Sequence, residues 1–315
     1  MKEYIYLAAA CTFFGFQFIF SKLYQRRTDG TLHAALWSTA LSAVAMFVFF
    51  IPYNVILHGH VLVTNPAAWG WGCAYAVCGV VCSVCTLLAM KTGSVSAVVV
   101  YCLLGGMVLP ALYGIFFEHE QPSVWRWIGL VVLTVAILPP MFLNGKKSSS
   151  GTHSVKDRVI YVICSLLVFL TNGGVSIITT VASRYALDEV CTDTDFLLIC
   201  SALRLVMAAV LVLAVSFSRR QFLPVDQKTG RSATGIVMLL LFGILLCYTV
   251  LNGMGNVFNL LCAKTMDTTI QYPVISASCI VISTVAAYFV FKEKPGRGDL
   301  IGVVLSIIGI VLCVF

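Results

Sequence analysis

Apolar residues run along this chain in ten stretches of about 20, each closed by Gly, Pro, Ser, Asn or charged residues. They lie at Tyr4 to Tyr24, Leu32 to Tyr53, Pro66 to Met90, Ser94 to Phe117, Ser123 to Leu143, Val159 to Ala182, Phe196 to Phe217, Ala233 to Ala263, Thr268 to Phe291 and Gly298 to Phe315. Each is long enough to cross a bilayer as a helix, so the pattern predicts an all-α integral membrane protein with ten transmembrane helices. The eighth stretch has room for a broken helix, with "NGMGN" at Asn252 to Asn256 as the break. The first follows Lys2 and runs through "AAAC" to Phe20 without interruption, which reads as a retained helix and not a cleaved leader.

One polar, Ser-rich stretch, "NGKKSSSGTHSVKD" from Asn144 to Asp157, divides the spans five and five. The expected organisation is a first repeat at 1–143, a linker at 144–157 and a second repeat at 158–315. A shift of 173 positions supports it. Leu87, Leu88, Lys91 and Thr92 then fall on Leu260, Leu261, Lys264 and Thr265, and Glu120, Pro122 and Gly129 fall on Glu293, Pro295 and Gly302. Apolar bias does not align Lys, Glu and Pro, so the halves read as homologous units. An odd number of spans per unit makes the second enter from the opposite face, which gives two inverted five-helix repeats as in secondary carriers.

Composition agrees: 60% of the 315 residues are hydrophobic and 10% charged, against about 45–50% and about 25% in soluble domains. The net charge of +7 is scattered over short loops without interleaved aromatics, so it marks membrane orientation and not nucleic-acid binding. With side A defined by the N-terminus, side A holds Lys2, Arg126, Arg184 and Lys264, while fifteen Lys and Arg lie on side B. The bias predicts linker 144–157 cytoplasmic, both termini outside, and Asp188, Glu189, Asp193 and Asp195 in an outer loop.

Known chemistries find little support. No phosphate-cradling loop, His-Glu-x-x-His or nucleophile elbow occurs, and Glu118, His119, Glu120, Asp267 and Glu293 sit only at helix ends. The reading is no enzyme, no cofactor and no metal, with an intramembrane enzyme or a non-transporting scaffold as rivals of another class. Nearly all thirteen cysteines lie in apolar runs, so no disulfide framework is indicated. Cys78, Cys82 and Cys85 share a face of span three, better read as packing thiols than as a soft-metal site.

The informative residues are polar ones at lipid depth. Arg204 lies well inside span seven; it requires a partner or a water-filled cavity, either an anion or neighbouring carbonyls. Asn252, Asn256 and Asn259 recur at i, i+4 and i+7 on one face of span eight. They suit a hydroxyl- or amide-bearing solute, or hydrogen bonds between helices. The repeat places Asn256 and Asn259 on Ser83 and Thr86 of span three. Gln17 and Asn172 extend the signal into spans one and six, beside Gly15, Gly173 and Gly174, which admit either a ligand or a close helix. Tyr101, Gly105, Gly106 and Pro110 interrupt span four, as Gln271, Tyr272 and Pro273 interrupt span nine. Gly298, Gly302 and Ser306 form a packing ridge in span ten.

The segments "GFQFIFSK", "FFEHEQPSVWRWIGLVVLTVAIL", "FKEKPGRGDLIGVVLSIIGIVL" and "SALRLVMAAV" around Arg204 resemble the EamA-like, ten-helix branch of the drug/metabolite transporter superfamily over the whole chain. The resemblance implies a bacterial-type inner-membrane carrier with alternating access and a central cavity lined by spans 1, 3, 4, 6, 8 and 9. Span one carries Gln17 and no acidic residue, unlike relatives that couple through a membrane carboxylate, and the charge bias places the termini outside as in the rhamnose-transporter-like relatives. The expected function is secondary transport of a small polar metabolite such as a sugar, nucleoside or amino-acid-like solute. Gln17, Tyr101, Asn172, Arg204, Asn252, Asn256, Asn259 and Tyr272 are the candidate contacts, with Pro110 and Pro273 as gating points. Efflux of apolar drugs, through aromatics such as Phe13, Phe14 and Trp37, is the alternative. The partners expected are the lipid bilayer and a small-molecule solute, with no nucleic acid; the sequence leaves a homodimer open.

Overall fold

A computed structural model describes residues 2–28, 31–92, 95–139, 155–187, 191–219, 223–227, 231–232, 234–292 and 296–314. Among these residues there are ten helices: α1 (Lys2–Arg27), α2 (Leu32–His58), α3 (Pro66–Thr92), α4 (Val95–Phe116), α5 (Val124–Ala136), α6 (Val155–Tyr185), α7 (Asp193–Arg219), α8 (Ile236–Ala263), α9 (Thr268–Phe291) and α10 (Arg297–Val314). Eight are long and apolar enough to cross a membrane. The apolar segments described in α4 and α5, Tyr101–Phe116 and Val124–Ala136, are shorter. Residues 140–143 of the fifth stretch, and the linker 144–157 up to residue 154, lie outside the described residues, and 155–157 open α6.

Local chemistry sets the helix ends. Thr31 caps α2 by accepting from the Ala34 N–H, and Gly59 closes it with φ of 73°, a left-handed conformation that favours glycine. Ser123 caps α5 in the same way. Between α7 and α8, Val225–Asp226 and Arg231–Ser232 form a two-residue antiparallel pair, β1 and β2, which the apolar pattern gives no sign of. It docks through the Gln227 N–H on the Arg27 carbonyl at the end of α1.

The packing is reciprocal. The first helix of the first half, α1, packs against α8 and α9 of the second; α6 packs against α3 and α4 of the first; α2 meets α7, and α5 meets α10. Less than half of each candidate span is buried within the protein. The outward faces carry Val48, Leu166, Val206, Leu213 and Val304, apolar surface suited to lipid.

Three expectations are corrected. Span eight is not broken at Asn252 to Asn256, since α8 runs through it as one helix. Its glycines serve close packing: a Cβ on Gly253 would lie 2.3 Å from the Phe50 ring, and one on Gly255 2.9 Å from Phe14. Spans four and nine are likewise continuous, with Pro110 inside α4 and Pro273 inside α9. Each proline removes one helical N–H without ending its helix. Asp193 and Asp195 belong to the first turn of α7 rather than to the loop before it, and both are buried; Asp188 and Glu189 fall outside the described residues.

Candidate solute cavity

The polar stripes converge on a cavity of about 520 Å³ lined by residues of α1, α2, α3, α4, α6, α7, α8 and α9. Gln17, Asn172, Arg204, Asn252, Asn256, Asn259 and Tyr272 all line it, as do Ser83 and Thr86. Tyr101 does not; it is exposed on the outer surface. Of the aromatics considered for drug binding, Phe14 lines the cavity, whereas Phe13 stacks on Phe258 and Trp37 Nε1 donates to His33.

The side chains are tied into the wall, and two of the bonds, Asn252 to Gln17 and Asn172 to Cys102, cross between the halves. The Asn252 Nδ2 donates to Gln17 Oε1 at 2.6 Å, joining α8 to α1. The Asn256 Nδ2 donates to the Asn252 carbonyl and Oδ1 at 2.8 and 3.2 Å. The Gln271 Nε2 donates to both oxygens of Asn259 at 2.7 Å. The Tyr272 hydroxyl donates to the Ser176 carbonyl at 2.7 Å and pairs with Thr180 at 2.9 Å, linking α9 to α6. The Asn172 Nδ2 donates to the Cys102 carbonyl at 2.7 Å. Part of the amide capacity thus orders the wall, and the same groups hold the donors and acceptors at fixed positions around the cavity.

The glycines beside these residues serve helix packing. A Cβ on Gly105 would sit 2.1 Å from the Phe169 carbonyl oxygen and one on Gly173 2.6 Å from that of Gly105, so α4 and α6 touch backbone to backbone. Gly106 leaves the space that the Asn172 amide fills. Gly15 faces Ile282 of α9 in the same sense.

Arg204 is the one charged residue among the described residues that line the cavity. Its side chain lies along α3 beside Gly79, whose Cβ would be 3.8 Å from Arg204 Nε. The carbonyl tie that the sequence left open is not made: among the described residues no hydrogen bond or ion pair reaches the guanidinium, and its Nε is buried without a partner.

Sequence reasoning passed over two groups. Ser176 and Thr179 continue the Asn172 face of α6 at i+4 and i+7, a stripe with the same spacing as the Asn252 stripe and legible by the same rule. Tyr75 and Tyr248 also line the cavity; no periodic signal separates them from other aromatics in lipid-depth segments.

The cavity extends toward side B, where Ser21, Tyr24, Thr28 and Thr31 line it. At side A the helix ends are locked together. Arg184 pairs with Glu118 at 2.9 Å and donates to the Ala263 and Met266 carbonyls. Arg126 pairs with Asp267 at 2.7 Å, and Lys264 with Asp193 at 3.0 Å. Glu120 caps α9, accepting from the Thr268 and Thr269 N–H groups at 2.7 and 3.0 Å. Asp195, fully buried, accepts from Asn54, the Val63 N–H and Thr192, with His60 Nε2 at 3.0 Å.

The EamA-like transporter family matches this sequence twice, over residues 1–139 and 163–315. The chain belongs to that family. Its two matched segments cover the helices on either side of the linker, and it is a multi-pass membrane protein of a transporter family. In fold, this EamA-like chain is similar to a protein of known crystal structure at a TM-score of 0.68, with 13% identity over 99% of this chain and 96% of the other. Among curated proteins none matches the sequence.

Proposed function

We propose that this chain is a secondary carrier that moves a small polar metabolite, such as a sugar, nucleoside or amino-acid-like solute, by alternating access. The observation that carries the reading is a cavity to which both halves contribute amides, open toward side B and closed at side A by the Arg126–Asp267 and Arg184–Glu118 ion pairs between the halves. A volume of about 520 Å³ falls in the range of small-molecule sites. The lining is rich in Ser, Thr, Asn and Tyr, which favours a polar solute over an apolar drug.

In this reading the protein has ten spans in two inverted five-helix units, 1–143 and 158–315, and sits in the plasma membrane. The reciprocal packing of α1 against α8 and α9, and of α6 against α3 and α4, supports the inverted arrangement. The charge bias supports a cytoplasmic side B, which makes the present conformation inward-facing. Exchange of the side A contacts for equivalent ones at side B, with movement about Pro110 and Pro273, completes the cycle. The test is a proteoliposome screen against sugars, nucleosides, amino acids and organic acids: the reading expects saturable flux of at least one, and flux of none sinks it.

A further inference from the structure

We infer that Arg204 is the anion-binding residue of the cavity and that the transported solute carries a single carboxylate; this rests on the carrier reading above. Arg204 stands eleven residues into α7, roughly 16 Å along the helix from its start at 1.5 Å per residue, so its charge sits deep in the membrane. A charge at that depth is retained only against a counter-charge, carbonyls or a water-filled space. Here the first two are missing among the described residues, and the third is the cavity itself.

Among the described residues, the others lining the cavity are all uncharged. The walls therefore hold one net positive charge with nothing to balance it, and a bound anion supplies the balance. Guanidinium and carboxylate match as planar groups, each able to use two bonds. One cation suits one negative charge; a phosphate ester, close to a dianion at neutral pH, calls for a second cation, and none lines the cavity among the described residues. The amides of Gln17, Asn252 and Asn256 on the opposing helices α1 and α8 then meet the hydroxyl or amide groups of the same solute. Gly79 contributes by omission, since its missing side chain lets the arginine lie against α3.

The test uses matched probes that differ only in charge: gluconate and glucose, lactate and lactamide, N-acetylglycine and N-acetylglycinamide, with glycerol 3-phosphate and glycerol as the phosphate arm. Each is assayed for flux in proteoliposomes, and for a Tm shift of purified wild type, Arg204→Gln and Arg204→Lys. The expected result is flux or stabilisation by at least one carboxylate at about tenfold lower concentration than its neutral partner, lost in Arg204→Gln and partly kept in Arg204→Lys. Without solute, Arg204→Gln melts no lower than wild type, because it removes an unbalanced charge. Equal response to neutral partners, preference for the phosphate, or unchanged flux in Arg204→Gln overturns the inference and leaves the carrier standing. A marked loss of Tm in solute-free Arg204→Gln also overturns it, since that marks a structural tie. Flux of no probe, with no solute found in the wider screen, removes the carrier reading and this inference with it.

Discussion

Arg184 Nη1 lies 2.9 Å from Glu118 Oε2, and the same guanidinium donates to the carbonyls of Ala263 and Met266. One side chain from α6 thereby closes the ends of α4 and α8 at side A. Both partners are mostly buried, and breaking a buried pair from one end costs about 3–5 kcal/mol. Arg184→Ala is therefore expected to lower the Tm, and Glu118→Gln to shift the carrier toward opening at side A. Placing a cysteine at Ser176 reads the second effect: an impermeant thiol reagent applied from the N-terminal side reacts faster in the Glu118→Gln background. Unchanged labelling would show that this pair does not gate.

Asn252 and Gln17 join the halves near the middle of the bundle. Gln17→Leu leaves the Asn252 amide unsatisfied at a cost of about 1–3 kcal/mol, and Asn252→Leu does the same to Gln17. The double variant recovers part of the loss, with a coupling of about 0.5–3 kcal/mol in a double-mutant cycle on Tm or denaturant unfolding. Additive losses would mean that the two amides act separately.

Gly173 stands where α6 meets α4, its missing Cβ 2.6 Å from the Gly105 carbonyl oxygen. Gly173→Ala is expected to destabilise by about 1–3 kcal/mol, as overpacking does. Gly243 in α8 is the control, for nothing lies within 4 Å of a Cβ there, and Gly243→Ala gains about 0.5–1 kcal/mol of helix stability. Equal Tm changes in the two variants would refute the close approach of α4 and α6.

Asp195 closes a reciprocal cap with Thr192 at the start of α7 and also accepts from Asn54 and the Val63 N–H. Asp195→Ala strands these buried donors and is expected to lower the Tm by more than Asp193→Ala, since Asp193 has a single ion-pair partner among the described residues. The reverse order would disprove the role of Asp195 as the hub of this end.

The ten helices and most of their boundaries were legible because lipid demands long uninterrupted apolar runs, and the cavity residues because polar groups at depth are rare enough to count. Facing was harder to read. Tyr101 has the depth of a cavity residue but stands on the outside, since one polar residue in an apolar run gives no direction, whereas the Asn252, Asn256, Asn259 triplet does. Proline and glycine signals pointed to breaks in α4, α8 and α9 that the helices do not make; in α8 and α4 the glycines instead admit close neighbours, the Phe14 and Phe50 rings and the Phe169 backbone. The burial of Asp195 was hidden for another reason: its partners Asn54 and His60 lie 141 and 135 residues away, and no local pattern encodes them.

The reciprocal exchange of α1 and α6 also sets a timetable for synthesis. Gln17 enters the bilayer 235 residues before Asn252, its partner, has been made. At roughly 5–20 residues per second, α1 waits on the order of 10–50 s with its amide facing lipid or a temporary neighbour. The last helices to leave the ribosome are thus the ones that release the first from that exposure, and loss of α8 or α9 would leave α1 stranded as well as destroy the cavity.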